Sequence, residues 1–307
     1  MNKKLSRFLR WTYWIALTLI LLPFASLILI KLTGSLQMRQ SDDVILGNLH
    51  SYPLEKEIVT LAIGRRNVTC LRTWKDDRKK ADAIVFVHGS PGSLDAYIKY
   101  MHNDSLLSVA DLIAYDRPGF GHSDFGKALP SLRAQAAVLH SLMNQFDYKR
   151  YWLIGHSYGA AVILQTLIDN PGRIAGVGII AGSVTYAMEP KSGWRKWIDL
   201  PFIRVLLPFV LRVSNDELMA LRKDLRMIDD DWNTIKVPVS LMHGTKDVLV
   251  PYENIQLAKE KLINADTVRT LVFEDENHFI LWTQPEQIIE EILSLIKNSE
   301  LIEGNKE

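Results

Sequence analysis

Cysteine is all but missing from this chain, and that excludes several things at once. Cys70 is the single one in 307 residues, so no intramolecular disulfide can form. No Cys-x-x-Cys pair is available for zinc, and no lipobox cysteine follows the N-terminal apolar run. Cys70 itself sits in "NVTCLRTW", which alternates as a strand does, and it reads as a small buried hydrophobe rather than a reactive thiol. An excess of either charge is also missing: 36 Lys and Arg stand against 35 Asp and Glu, a formal net charge of +1. With no basic stripe carrying interleaved aromatics, the sequence gives no basis for nucleic-acid binding. Internal repeats and low-complexity tracts are lacking too. At 48% hydrophobic and 23% charged, the chain is globular and long enough for one large α/β domain with an insertion, or for two ordinary domains.

The N-terminus departs from this composition. "MNKKLSRFLR" carries Lys3, Lys4, Arg7 and Arg10, and residues 11–30, "WTYWIALTLILLPFASLILI", hold no charge until Lys31. About twenty apolar residues is what a helix needs to cross a bilayer core, and Trp11, Tyr13 and Trp14 lie where interfacial aromatics belong. The expectation is a single-pass transmembrane anchor over 11–30, with the basic flank 1–10 in the cytoplasm and the rest of the chain on the far side. The alternative is a signal peptide and a secreted product, but its apolar region would be unusually long and only Thr33-Gly34-Ser35 offers a weak cleavage site.

After a linker over 31–57, strand-like and helix-like segments alternate. "IVTLAI" and "RNVTCLRTW" read as a strand pair joined near Gly64. "AIVFVHG", "DLIAYD", "YWLIGHS", "IAGVGIIAG", "VPVSLMHG" and "VRTLVFED" read as strands, most of them buried on both faces. Helical patterns cover 129–146, 158–169, 252–262 and 285–297, the last with Thr283 as a candidate N-cap. This order predicts an α/β fold with a mostly parallel, doubly wound sheet, its core in 58–182 and 237–300. Residues 183–236 contain no strand-like run and read as a helical lid. Trp194, Trp197, Phe202, Phe209 and Trp232 make it aromatic, and the expectation is that it lines an apolar pocket.

"LIGHSYGAA" places Ser157 between Gly155 and Gly159, at the junction of a strand and a helix. A serine in such a turn has its hydroxyl held clear of the sheet, as a nucleophile requires. A base must take its proton, and His278, in the loop between the last strand and the last helix, is placed to do so. An acid must orient that base, and Asp247 follows "VPVSLMHG" on the same predicted sheet edge. An oxyanion needs donors: the backbone N–H of Ser90, just before Pro91, and that of Tyr158 are the candidates. His88 is expected to order its loop, His156 to point away from Ser157, and Asp116 to be structural.

"VHGSPGS", "DRPGFGHSD", "GHSYGAA", "HGTKDVLVP" and "ENHF" together resemble the α/β-hydrolase superfamily, over about residues 58–297. They are most similar to its lid-bearing branch of esterases, C–C bond hydrolases, proline iminopeptidases and epoxide hydrolases. The resemblance implies a Ser157–His278–Asp247 triad and hydrolysis of an acyl substrate, with no metal or organic cofactor. Epoxide hydrolases and haloalkane dehalogenases of this family carry an aspartate where this chain has Ser157, so their chemistry is disfavoured. Proline iminopeptidases usually carry a second glycine where this chain has Ser90, which weakens that reading. Carboxylic ester hydrolysis leads. An acyltransferase, a proline iminopeptidase-like amidase and a non-catalytic ligand-binding protein on the same fold stay open, as does the oligomeric state.

Overall fold

The computed structural model describes residues 3–34, 36–75, 80–191, 193 and 195–304, apart from some side chains in the first and last helices. Trp194 and Ser35, singled out above, lie outside the described residues, as do the side chains of Lys3, Lys4, Arg7 and Lys31.

Helix α1 runs Lys3–Thr33, and a short α2, Asp42–Asn48, follows it. Among the described residues no helix is long and apolar enough to cross a membrane. Several side chains of 11–30 fall outside those residues, and the transmembrane expectation gains no support from the fold. Trp11, Tyr13 and Trp14 are exposed, and the described part of α1 contacts the helix at residues 201–206.

Strands β1 (Glu55–Ile63) and β2 (Arg66–Trp74) form a hairpin that turns at Gly64, whose φ of +59° is open to glycine. β3 (Asp82–Val87), β4 (Asp111–Tyr115), β5 (Arg150–His156), β6 (Ile174–Ile180), β7 (Val239–Gly244) and β8 (Val268–Phe273) complete one eight-stranded sheet. Its order is β1-β2-β4-β3-β5-β6-β7-β8. β2 pairs antiparallel with β1 and β4, and every other pair is parallel. The continuous apolar runs read from the sequence are these parallel strands: β3 and β4 are buried at every position.

Burial on both faces follows from helices on both sides, as the doubly wound reading requires. The strands' alternation sorts their side chains into two cores. Val85, Leu153 and Val177 face the layer holding α4 (after α3, Asp104–Val109, comes α4, Leu132–Gln145) and α5 (Tyr158–Asp169). Phe86, Trp152 and Ile154 face the opposite layer, which includes the C-terminal helix. α4 starts three residues later than the periodicity suggests because Ser131 caps it, accepting a hydrogen bond from the Ala134 N–H.

Between β6 and β7 the chain is helical: α6 (Arg195–Ile198), α7 (Pro201–Leu206) and α8 (Phe209–Met227). α9 (Glu253–Lys261) precedes β8, and α10 (Ile280–Thr283) and α11 (Pro285–Gly304) close the chain. Thr283 does not cap α11. It ends α10, and its hydroxyl donates to Glu276 instead, because the chain makes one extra helical turn before Pro285.

Candidate active site

Ser157 links β5 to α5 at φ +54°, ψ −120°, a region that non-glycine residues avoid. Its backbone is held there from both sides: its N–H donates to Ile180 O at 2.9 Å, and its own carbonyl accepts from Ala160 N at 3.1 Å. The flanking glycines are required by contact. A Cβ on Gly159 would stand 2.1 Å from the Val87 carbonyl oxygen, and one on Gly155 would stand 2.6 Å from that of Gly159. β5, α5 and β3 therefore meet backbone to backbone, and Ser157 is pushed above the sheet edge, where it is half-buried.

Asp247 and His278 come from the loops after β7 and β8 and meet across 31 residues of chain: His278 Nδ1 lies 2.7 Å from Asp247 Oδ2. Asp247 Oδ1 accepts the N–H groups of Leu249 and Val250 at 2.9 and 2.8 Å. Burial alone would raise this carboxyl. Hydrogen bonds from His243 (Nε2 at 3.3 Å), His278 and Val250 N–H more than offset that and hold it well below the usual carboxylate range. Asp247 is thus an ionised acceptor that fixes His278 with Nδ1 as donor, leaving Nε2 free for a proton. No hydrogen bond joins Ser157 to His278 among the described residues, but both line one cavity of about 620 Å³. Contacts of this kind often tighten only when substrate binds.

The loop after β3 closes the other side of that cavity. His88 is buried and orders it, as expected: its Nδ1 lies 2.8 Å from Gly89 O and its Nε2 accepts the Arg117 N–H at 2.9 Å. Burial, and next the Arg117 charge, keep it neutral, well below the ordinary histidine range. Ser90, which precedes a cis peptide to Pro91, lines the cavity with Gly89. Gly89 runs so close to the nucleophile candidate that a Cβ there would stand 3.1 Å from Ser157 Cβ. Neither Ser90 N–H nor Tyr158 N–H has an acceptor among the described residues, which leaves both available to a bound oxyanion. Asp116 lies under this loop and accepts N–H groups from Leu94 and His122, both at 2.8 Å. Its burial pushes the carboxyl up to about 7 despite those donors.

Two expectations need correction. His156 does not point away from the site. It lies on the same face of β5 as Ile154, where α10 and its preceding loop are packed, so its ring lies 4.9 Å from that of His278 and edge-on to Trp282. Burial, with the neighbouring His278, takes it down to about 3. The second correction concerns the helical segment 183–236, which contributes no wall to the cavity among the described residues. Its Trp232 is buried in the core and Trp197 and Phe202 face outward. The apolar wall comes from Leu249, Phe279 and Trp282, and from Met38 of the N-terminal linker, with Gln40 beside it. Asp95 also lines the cavity, and no lysine or arginine does among the described residues.

Residues that the motifs did not single out tie the loops together. Arg117 is fully buried and paired with Glu217 of α8, also fully buried. A signal for Glu217 existed: α8 buries positions 210, 213, 214, 215, 217, 221 and 225, a largely helical stripe with a carboxylate in it. Among the described residues no three His, Cys, Asp or Glu side chains gather as a metal would need.

The alpha/beta hydrolase fold family matches residues 82–204. A non-heme chloroperoxidase from Streptomyces lividans is 24% identical over 259 residues, 70% of this chain and 91% of its own. A membrane phospholipase A described as a bacterial virulence factor superposes with a TM-score of 0.62 at 16% identity, over 97% of this chain and 99% of that one. The carboxylesterase CesB of Bacillus subtilis gives 0.58 at 19% identity, over 83% and 96%. Sheet order, strand–turn–helix geometry at Ser157 and these likenesses agree: the chain has the α/β-hydrolase fold, with residues 82–204 matching that family.

Proposed function

We propose that this protein is a membrane-anchored serine hydrolase of carboxylic esters. The observation that carries the reading is the convergence of a strained Ser157 with an Asp247-oriented His278 on one cavity. In this mechanism His278 Nε2 takes the Ser157 hydroxyl proton as Oγ attacks the ester carbonyl carbon. The resulting oxyanion is held by the N–H groups of Ser90 and Tyr158. Collapse breaks the acyl C–O bond, and His278 returns the proton to the departing alkoxide. Water then repeats the sequence on the acyl-serine, releasing a carboxylic acid and restoring Ser157. Asp247 stays ionised throughout and stabilises the imidazolium.

The cavity's walls shape the substrate class. Apolar side chains and one carboxylate, Asp95, favour a neutral, apolar acyl ester over an anionic one. An ester drawn from the bilayer is supported by three features. Residues 11–30 are uncharged, Met38 and Gln40 of the following linker reach the cavity, and the likeness to a membrane phospholipase A extends over α1 as well. The basic flank 1–10 favours a cytoplasmic N-terminus with the hydrolase on the far side.

Two measurements test the reading. A fluorophosphonate should label the wild-type protein and not Ser157→Ala, and that variant should lose about 10⁴–10⁶-fold in kcat on activated esters. Near-normal turnover by Ser157→Ala overturns the assignment. A panel of esters graded by acyl length, extended to anilides, then separates lipid, short-chain and peptide substrates.

A further inference from the structure

The oxyanion loop is attached, through a single buried ion pair, to a helix of the 183–236 insertion. Arg117 Nη1 and Nη2 reach Glu217 Oε1 and Oε2 at 2.6 and 3.1 Å. The same guanidinium donates from Nε to His88 O and from Nη2 to Gly89 O, both at 2.9 Å. Glu217 Oε2 also accepts the Ser90 hydroxyl at 2.6 Å. Gln135 of α4 completes the cluster, accepting from Arg117 Nη1 at 2.8 Å and donating to Glu217. Three consecutive residues of the loop, 88, 89 and 90, are therefore held by this pair. The second oxyanion residue adjoins it too, since the Arg117 guanidinium carbon lies 4.6 Å from the Tyr158 ring centroid.

We infer that Glu217 is a positioning residue for the oxyanion hole, so that seating of α8 on the core sets the catalytic competence of Ser157. The physical case rests on what a buried pair costs and what it fixes. Two fully desolvated charges are held only when every lone pair and proton has a partner, and here the partners are the carbonyls and hydroxyl of the loop that presents the Ser90 N–H. A hydrogen-bond donor aimed at developing charge is effective only if its position is fixed before the charge appears. The loop has no other polar tie to α8 among the described residues, and Glu217 is the one carboxylate facing Arg117. The inference rests on the triad reading above.

Glu217→Gln keeps the shape but removes the charge and puts an NH2 donor where one of the two accepting oxygens stood, so it cannot satisfy Arg117, Gln135 and Ser90 together. Fluorophosphonate titration counts the competent sites, and kcat per titrated site is then measured with KM and with the inhibition constant of a trifluoromethyl ketone, which Ser157 converts to an anionic adduct. The expected result is a 10- to 100-fold fall in kcat per site, a matching weakening of the ketone, little change in KM, and partial recovery in Glu217→Asp. Unchanged kcat per site and unchanged ketone affinity overturn the inference. Should Glu217→Gln fail to fold, Ser90→Ala decides. It cuts only the hydroxyl link and leaves the ion pair, and a parallel three- to tenfold loss in kcat and ketone binding supports the inference, whereas no loss overturns it. Labelling of wild-type Ser157 in the same experiment separates failure of this inference from failure of the triad.

Discussion

At the scale of single residues, the site holds groups whose protonation is fixed by their surroundings. Asp247 is held ionised by its hydrogen bonds, and His156 is held neutral by burial, down to about 3. Neither changes protonation near neutral pH, whereas Asp116 beneath the oxyanion loop, raised to about 7 by burial, does. Asp247→Asn should keep the fold and the ring's position but lose the charge that stabilises the imidazolium. A kcat about 10⁴-fold lower is the expected result, read by steady-state turnover on protein whose circular dichroism shows the fold retained.

At the scale of elements, the junction of β5, α5 and β3 is where sequence and structure agree most closely. Gly155-x-Ser157-x-Gly159 was legible because only glycines let three backbones come so near. Gly159→Ala should therefore cost roughly 3 kcal/mol or more in chemical denaturation, since its Cβ would meet a backbone carbonyl that cannot rotate away. Gly172→Ala is the control. Nothing lies within 4 Å of its added Cβ, so the cost should be near zero or slightly favourable. The parallel strands were legible for a similar reason: a run buried on both faces is apolar at every position. What the motifs missed lies in long-range pairing. Glu217 and Arg117 are 100 residues apart, and no local pattern says which buried carboxylate finds which guanidinium. The cavity wall was missed because Met38 and Gln40 arrive from a linker with no periodicity of its own. The aromatic content of 183–236 suggested a pocket, but much of it serves the core or the outer surface.

At the scale of the whole molecule, buried titratable groups pull in opposite directions as pH falls. His88 and His156 stay neutral in the folded state well below the ~6.5 at which they protonate when unfolded, so falling pH draws protons to the unfolded chain. Asp116, raised to about 7, and Glu189, raised by burial, do the reverse, because the folded chain keeps their protons while the unfolded chain loses them. That offset ends near pH ~4, where carboxyls protonate in both states. Asp247, with its depressed folded value, begins to lose its contribution there as well. The melting temperature should fall as pH drops below ~6.5, more gently than the buried histidines alone would dictate, and more steeply below ~4, where the carboxyl offset is gone. A slope between pH ~6.5 and ~4.5 that Asp116→Asn leaves unchanged would show that the carboxyl offset is absent.

One further consequence follows from the linker. Its Arg39 and Gln40 are pinned to His122, while Met38 and Gln40 face the cavity that Ser157 lines. From Lys31, the end of the uncharged run, to Met38 is a short stretch that can span no more than about 25 Å even fully extended. Under the anchored reading, such a leash confines the reaction to a thin layer against the bilayer. Turnover would then follow the number of substrate molecules per unit area rather than per unit volume. Diluting the substrate with an inert lipid would slow the enzyme at constant bulk concentration, while adding more vesicles of the same composition would not speed it.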